Sequence, residues 1–388
     1  MATRTETEGL LSINAIEAGE KAVEEVRRMA ENEKREREEE VKAALREEDA
    51  FGHFGGVEEI VPGKKNIYEL LHDEIMDSDL TDAEKNERLS KLLQTQAKKV
   101  NIIFVGATGS GKSSTVNALF NMEVAKVGVG ADPETAEIAK YELGNLTIWD
   151  TPGLGDGERD EGYNRMIVRK LNELDEDGNP LIDLVVVVLD ASSRDLKTSC
   201  ELINNVVIPC IGKNDPERIL VALNQSDVAM KGKHWDAEHN VPDEVLKKFL
   251  KEKAESVSRR VREATGLDIR PVCYCAGYKE EGEAQCAPYN LTKLLYYIVK
   301  SVPKEKRLAL ADNINTDEDK WLYDDQQEDY KGKTKRNFFD TVYDCVWENA
   351  YDGGELGETI LGIPGRVIGS VIGAGTGIIR GFFESIFG

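Results

Sequence analysis

"VNIIFVGATGSGKSSTVNALF" occupies residues 100–120. Its opening is short, apolar and β-branched, as a buried strand requires, and "SSTVNALF" reads as helix. Between them stands Gly106-x-x-x-x-Gly111-Lys112-Ser113. A glycine loop between a strand and a helix lets backbone N–H groups wrap a phosphate, and the helix adds the positive end of its dipole. In such a loop Lys112 reaches the outer phosphates and the Ser113 hydroxyl ligates Mg²⁺. The candidate phosphate-binding residues are Gly106, Ala107, Thr108, Gly109, Ser110, Gly111, Lys112, Ser113 and Ser114.

Four more runs rich in β-branched residues follow: "LTIWD" (146–150), "DLVVVVLDA" (183–191), "RILVALNQ" (218–225) and "RPVCYCAG" (270–277). Amphipathic stretches separate them. This alternation predicts an α/β fold, a mostly parallel sheet with helices on both faces, ending near Pro303. "WDTPG" (149–153) closes its strand with Asp150, placed to hold Mg²⁺ through water, and with Gly153, whose N–H would face the terminal phosphate. A third magnesium candidate is Thr135, the only non-tyrosine hydroxyl between Val116 and Leu146. After the next apolar run comes Asn224-Gln225-Ser226-Asp227. The Asp227 carboxylate can accept both guanine N1–H and the exocyclic amine, a donor pair that adenine lacks. Asn224 would tie this loop to the phosphate loop. Cys275 and Ala276 of "CAG" complete the base site, with the Ala276 N–H expected to meet guanine O6. The expected ligands are GTP or GDP with Mg²⁺.

In that order of motifs the chain resembles the Era/TrmE-like TRAFAC-class P-loop GTPases, in particular the bacterial and prophage group labelled "50S ribosome-binding GTPase". "WDTPGLGDG", "SSRD", "LNQSDVAMKGKHWD" and "PYNLTKLLYYIV" carry the likeness over roughly residues 97–305. The resemblance implies a Ras-like G domain that binds Mg²⁺·GTP and hydrolyses it, with Lys112, Thr135 and Gly153 in the catalytic roles. Two positions depart from the pattern. Leu154 stands where Ras-like proteins place a water-orienting Gln, so turnover should be slow. Gly109 stands where TrmE-type enzymes place the Asn that holds an activating K⁺. The missing group would then come from a partner or a G-domain homodimer. Arg159 and Arg194 are candidate sources, and plain surface roles are the alternative for both. "SSTVN" with its loop is also similar to the septin, Toc and immunity-associated GTPases, which dimerise through their G domains.

The net charge of −23 over 388 residues repels phosphate backbones and anionic lipid, so nucleic acid or ribosome is not an expected partner. Six cysteines without a CxxC pair read as reduced thiols of a cytoplasmic protein, and the four histidines form no zinc pattern. No apolar signal region opens the chain. The expected organisation is a charged helical arm (1–56), a helical segment (57–98), the G domain (99–303), and an extension (304–388) made of an acidic linker, an aromatic helix (337–351) and a glycine-rich tail. Between Arg366 and Arg380 lie 13 residues, about 20 Å of helix against the roughly 30 Å of a bilayer core. On a helical wheel Phe382, Phe383 and Ile386 join one apolar face. Three covers fit it: the protein's own domain, a membrane interface or another copy. The alternative function is therefore a nucleotide-gated effector that is membrane-associated, peripheral at the membrane, or self-assembling through residues 359–388.

Overall fold

The computed structural model describes residues 65–120, 138–153, 159–212, 215–277, 287–347 and 381–387. Thr135, Leu154, the arm 1–56 and residues 359–380 lie outside the described residues, as does the side chain of Arg159.

Six strands form one sheet: β1 (Val100–Val105), β2 (Ala139–Leu143), β3 (Leu146–Asp150), β4 (Leu184–Asp190), β5 (Ile219–Asn224) and β6 (Val272–Cys273). Their order is β2-β3-β1-β4-β5-β6, all parallel except β2 against β3. The central strands are apolar on both faces because both faces are covered. Ile102, Phe104, Leu184, Val186, Val188, Leu220 and Ala222 enter one core. Ile103, Val105, Val185, Val187, Leu189, Val221 and Leu223 enter the other.

The helices that pack around the sheet include α1 (Ile67–Asp77), α2 (Asp82–Gln96), α3 (Lys112–Leu119), α4 (Arg159–Leu171), α5 (Lys197–Leu202), α6 (Glu244–Thr265), α7 (Leu291–Ser301) and α8 (Tyr330–Val342). Capping boxes start α1 (Asn66 with Glu69) and α2 (Thr81 with Glu84). Asp243 caps α6, and Gly266 ends it in the left-handed region at φ +83°. Residues from α1, α2, α3, α7 and α8 share the first core, and residues from α4, α5 and α6 share the second.

The flanking segments are integrated more deeply than their composition implies. Ile67, Leu71, Ile75 and Leu92 enter the same core as β1. Asn145 Nδ2 donates to Gln96 O at 2.5 Å, and buried Arg88 donates to Val346 O at 3.2 Å. The acidic stretch after Pro303 buries Trp321 and Ile314. The aromatic helix begins earlier than expected, at Tyr330, and runs into a π-helical turn, Tyr343–Trp347. Residues 381–387 are helical and bury Phe382, Phe383, Ile386 and Phe387 against the chain's own first core. This is the own-domain cover for that part of the tail. Among the described residues no helix is long and apolar enough to cross a membrane.

Asp312 joins the extension to α1: its Oδ1 accepts the Ile67 N–H at 2.7 Å. Burial, the largest influence, pushes its carboxyl up to about 6. A carboxyl with a raised folded pKa holds its proton more tightly when folded. Its stabilisation is thus fullest below the unfolded value and is lost as pH rises toward about 6. The loss is on the order of 3 kcal/mol. Asp312→Asn keeps the acceptor and removes the charge. It is expected to raise the melting temperature at pH 7 and to flatten its decline between pH 4 and 6. A thermal melt series over pH checks this, and an unchanged profile refutes it.

Candidate functional site

The motifs converge at the carboxyl ends of β1, β3, β5 and β6, where parallel α/β sheets bind ligands. The Gly106–Ser113 loop leaves β1 and enters α3. A Cβ at Gly106 would stand 2.2 Å from Val188 O, so only glycine lets the loop pass β4. Gly111 caps α3 at φ +87°, and a Cβ there would stand 2.2 Å from Asn224 Nδ2. Thr108 and Gly109 are exposed, and Ser113 and Ser114 half-buried. The Ser110 hydroxyl is buried with no hydrogen-bond partner among the described residues.

Lys112 is buried and folds back on its own loop, donating to Gly106 O at 3.2 Å and Ala107 O at 3.1 Å. Burial lowers its ammonium to about 8, and nearby Asp150 opposes the shift. Ser113 Oγ donates to Asp150 Oδ2 at 2.5 Å. Burial raises the Asp150 carboxyl above its ordinary range, against the Ser113 hydrogen bond and Lys112. Asp150 Oδ1 is buried without a hydrogen-bond partner among the described residues. A hydroxyl beside a buried, half-satisfied carboxylate suits a hard divalent cation that takes its other ligands from phosphate and water. No group of three or more His, Cys, Asp or Glu suited to a metal occurs among the described residues.

The base loop is knotted to the phosphate loop. Asn224 Nδ2 donates to Ser110 O at 3.0 Å, and Asn224 Oδ1 accepts the Ala276 N–H at 3.0 Å. One buried side chain thus holds three motifs together. Gln225, at φ +63°, donates from Nε2 to Gly109 O at 2.6 Å. The Ala276 amide, expected to meet a base, is instead given to Asn224, because that side chain reaches across from β5. Cys275 is buried and pairs with Tyr289 in an isolated bridge. Asp227 is half-buried just beyond Gln225. Gly153 lies against the phosphate loop: a Cβ there would meet Thr108 Cα at 2.2 Å. Arg194 is exposed, and Arg159 begins α4.

Two tyrosines escape motif reading. Tyr163 of α4 accepts the Gly106 N–H at 3.1 Å and lies 3.0 Å from Thr151 Oγ1, bridging the two phosphate-side motifs. Tyr274 meets Thr115 Oγ1 at 2.6 Å, pinning α3 to the segment that leads into Cys275 and Ala276. Tyr274 had a signal, an aromatic placed directly before "CAG". Nothing in the sequence around Tyr163 marks it.

Residues 101–225 match the family described as "50S ribosome-binding GTPase". GTPase Der of Sulfurimonas denitrificans is 29% identical over 156 residues, 39% of this chain and 29% of that protein. The uncharacterized protein YfjP of Escherichia coli is 33% identical over 129 residues, 32% of this chain and 41% of that protein. The chain thus matches less than half the length of either relative. Among solved structures, Toc33 from Arabidopsis thaliana with Mg²⁺ and GMPPNP aligns over 54% of this chain and 85% of that one, at 15% identity and a TM-score of 0.34.

Proposed function

We infer that this chain, whose residues 101–225 match the "50S ribosome-binding GTPase" family, binds GTP and GDP with Mg²⁺ and hydrolyses GTP as a slow molecular switch. A G-domain homodimer or a protein partner brings it to full rate. The observation that carries the reading is Asn224, which joins the phosphate loop at Ser110 O to the base side at the Ala276 N–H. A lone phosphate loop serves any nucleotide, whereas a loop locked to a strand end bearing Asp227 serves one base. Lys112 leaves its two loop carbonyls for the β- and γ-phosphate oxygens. The Gly153 N–H orients the γ-phosphate, and Asp227 takes the guanine donors. When bound, Mg²⁺ offsets phosphate charge, and Ser113 and Asp150 would hold it. Thr135 is the third proposed ligand. Leu154 has no group with which to orient water, so the rate is expected to depend on a second molecule.

Steady-state phosphate release from GTP and from ATP, measured over a range of protein concentrations, tests this reading. GTP should be strongly preferred, with the rate per subunit rising as concentration increases. Asp227→Ala should weaken GTP binding by about 10²-fold or more, since it removes two charge-assisted hydrogen bonds, and should leave ATP binding unchanged. Equal use of ATP by the wild type would overturn guanine selectivity. A rate per subunit that stays flat would remove the dimer.

The free-state pKa of Lys112 adds a pH signature. Phosphates favour the ammonium, so the bound pKa lies above about 8. Above that pH, binding must take up a proton, and GDP affinity should fall by nearly tenfold per pH unit. Titration calorimetry in buffers of differing ionisation heat should show proton uptake at pH 9 and little at pH 6.5. Equal heats at pH 9 would refute the assignment.

A further inference from the structure

Residues 381–387 fill an aromatic groove. Phe383 is fully buried and stacks on Phe338 with ring centroids 4.7 Å apart. Phe387 meets Trp321 edge-on at 5.5 Å, and its carbonyl accepts from Lys331 Nζ at 2.9 Å. Anchors at 383, 386 and 387 follow the spacing of a helix seated in a groove.

Two residues that touch this segment, Trp321 and Lys331, lead to the nucleotide site by two routes. Trp321 Nε1 donates to Asn315 O at 2.8 Å. Asn315 in turn donates from its backbone to Leu119 O at 2.9 Å and from Nδ2 to Asn117 O at 3.2 Å, holding the last turn of α3, the phosphate-loop helix. On the other route, Lys331, the donor to Phe387 O, follows Tyr330 in the first turn of α8, and Tyr330 OH donates to Asp325 Oδ1 at 3.1 Å. The Asp325 N–H donates to Asn290 Oδ1 at 2.8 Å. Asn290, buried and left-handed at φ +57°, donates from Nδ2 to Cys273 O at 2.9 Å, one residue before Tyr274 and the base loop. One end of the groove thus reaches the phosphate half of the site and the other reaches the base half.

We propose that this groove is a peptide-binding site whose resident ligand is the chain's own 381–387 segment, and that its occupancy strengthens guanine nucleotide binding through Asn315 and Asn290. The proposal rests on the nucleotide reading above. Because coupling is reciprocal, nucleotide must in turn strengthen the docking of the segment.

The test uses the full chain. GDP affinity is first measured for the wild type. Phe383→Asp with Phe387→Asp should empty the groove and weaken GDP about tenfold, within the usual range for coupled sites. A synthetic peptide of residues 381–388 (GFFESIFG) added to that variant should restore the affinity, and a peptide with both changes should not. In the wild type, GDP should slow amide exchange in 381–387. Three results overturn the proposal: unchanged GDP affinity in the variant, weakened affinity that the peptide does not restore, or GDP-independent exchange at 381–387. Failure of the wild type to bind any guanine nucleotide strikes the nucleotide reading itself, and the coupling falls with it. Lys331→Ala, a milder change that removes the donor to Phe387 O, should shift affinity in the same direction by a few fold.

Discussion

Asn224→Ala is expected to weaken both GTP and GDP by about 10²-fold and to lower the melting temperature of the free protein. Asn224 is only 3% exposed and makes two opposed hydrogen bonds, donating to Ser110 O and accepting from the Ala276 N–H. Truncation leaves a carbonyl and an amide buried without partners. Each such orphan costs about 1–3 kcal/mol. Part of that cost falls on the free fold. The remainder, about 3 kcal/mol, falls on binding, because the loops must be brought back into register around the ligand, and it corresponds to roughly 10²-fold in affinity. GTP and GDP should suffer alike, since Asn224 acts on the loops that both share. Calorimetric titration with both nucleotides checks this. Dissociation constants within threefold of wild type would show that the three motifs hold their places without this side chain.

Gly153→Ala should leave GDP binding within a few fold while turnover falls by about 10²-fold. The reason is space, not backbone freedom. A Cβ at 153 would stand 2.2 Å from Thr108 Cα and 2.4 Å from Thr108 N. These are backbone atoms of the phosphate loop, so the whole Asp150–Gly153 segment must retreat. Misplacing a positioning group by about 1 Å can cost 10²-fold in rate. Lys112, Asn224 and Asp227 are not displaced, so the ground-state grip on GDP survives. Overpacking should also cost about 1–3 kcal/mol of stability. Single-turnover phosphate release against GDP affinity separates the two effects. Wild-type release from the alanine variant would show that the segment has room the structure does not show.

Gln225 illustrates what a motif can and cannot say. Its position in the loop was legible, but its partner was not: Gln225 Nε2 reaches Gly109 O at 2.6 Å from a left-handed backbone at φ +63°. Ala276 shows the same. Its place after the last strand was legible, but the partner of its N–H was not, since Asn224 lies 52 residues earlier in the chain. The packing of the flanking segments is illegible for a related reason. "IYELLHDEI" shows a short apolar face, but nothing local says that Ile67, Leu71 and Ile75 enter the same core as Phe104. Trp321 stands in the acidic linker, yet it is 1% exposed and contacts Phe387, 66 residues further along the chain.

The sequence by itself determined the sheet, the Gly106–Ser113 loop after its first strand and the place of the Asn224–Asp227 loop at a strand end. Each rests on information within a few residues: apolar period, glycine spacing, a carboxylate at a strand end. Only the tertiary structure decided that Asn224 spans three motifs, that Tyr163 holds the Gly106 amide, and that the chain's last turn sits in a groove tied to both halves of the site. Those are pairings between distant residues. Hydrogen-bond partners and ring contacts depend on where the backbone brings two groups, and no local pattern encodes that distance.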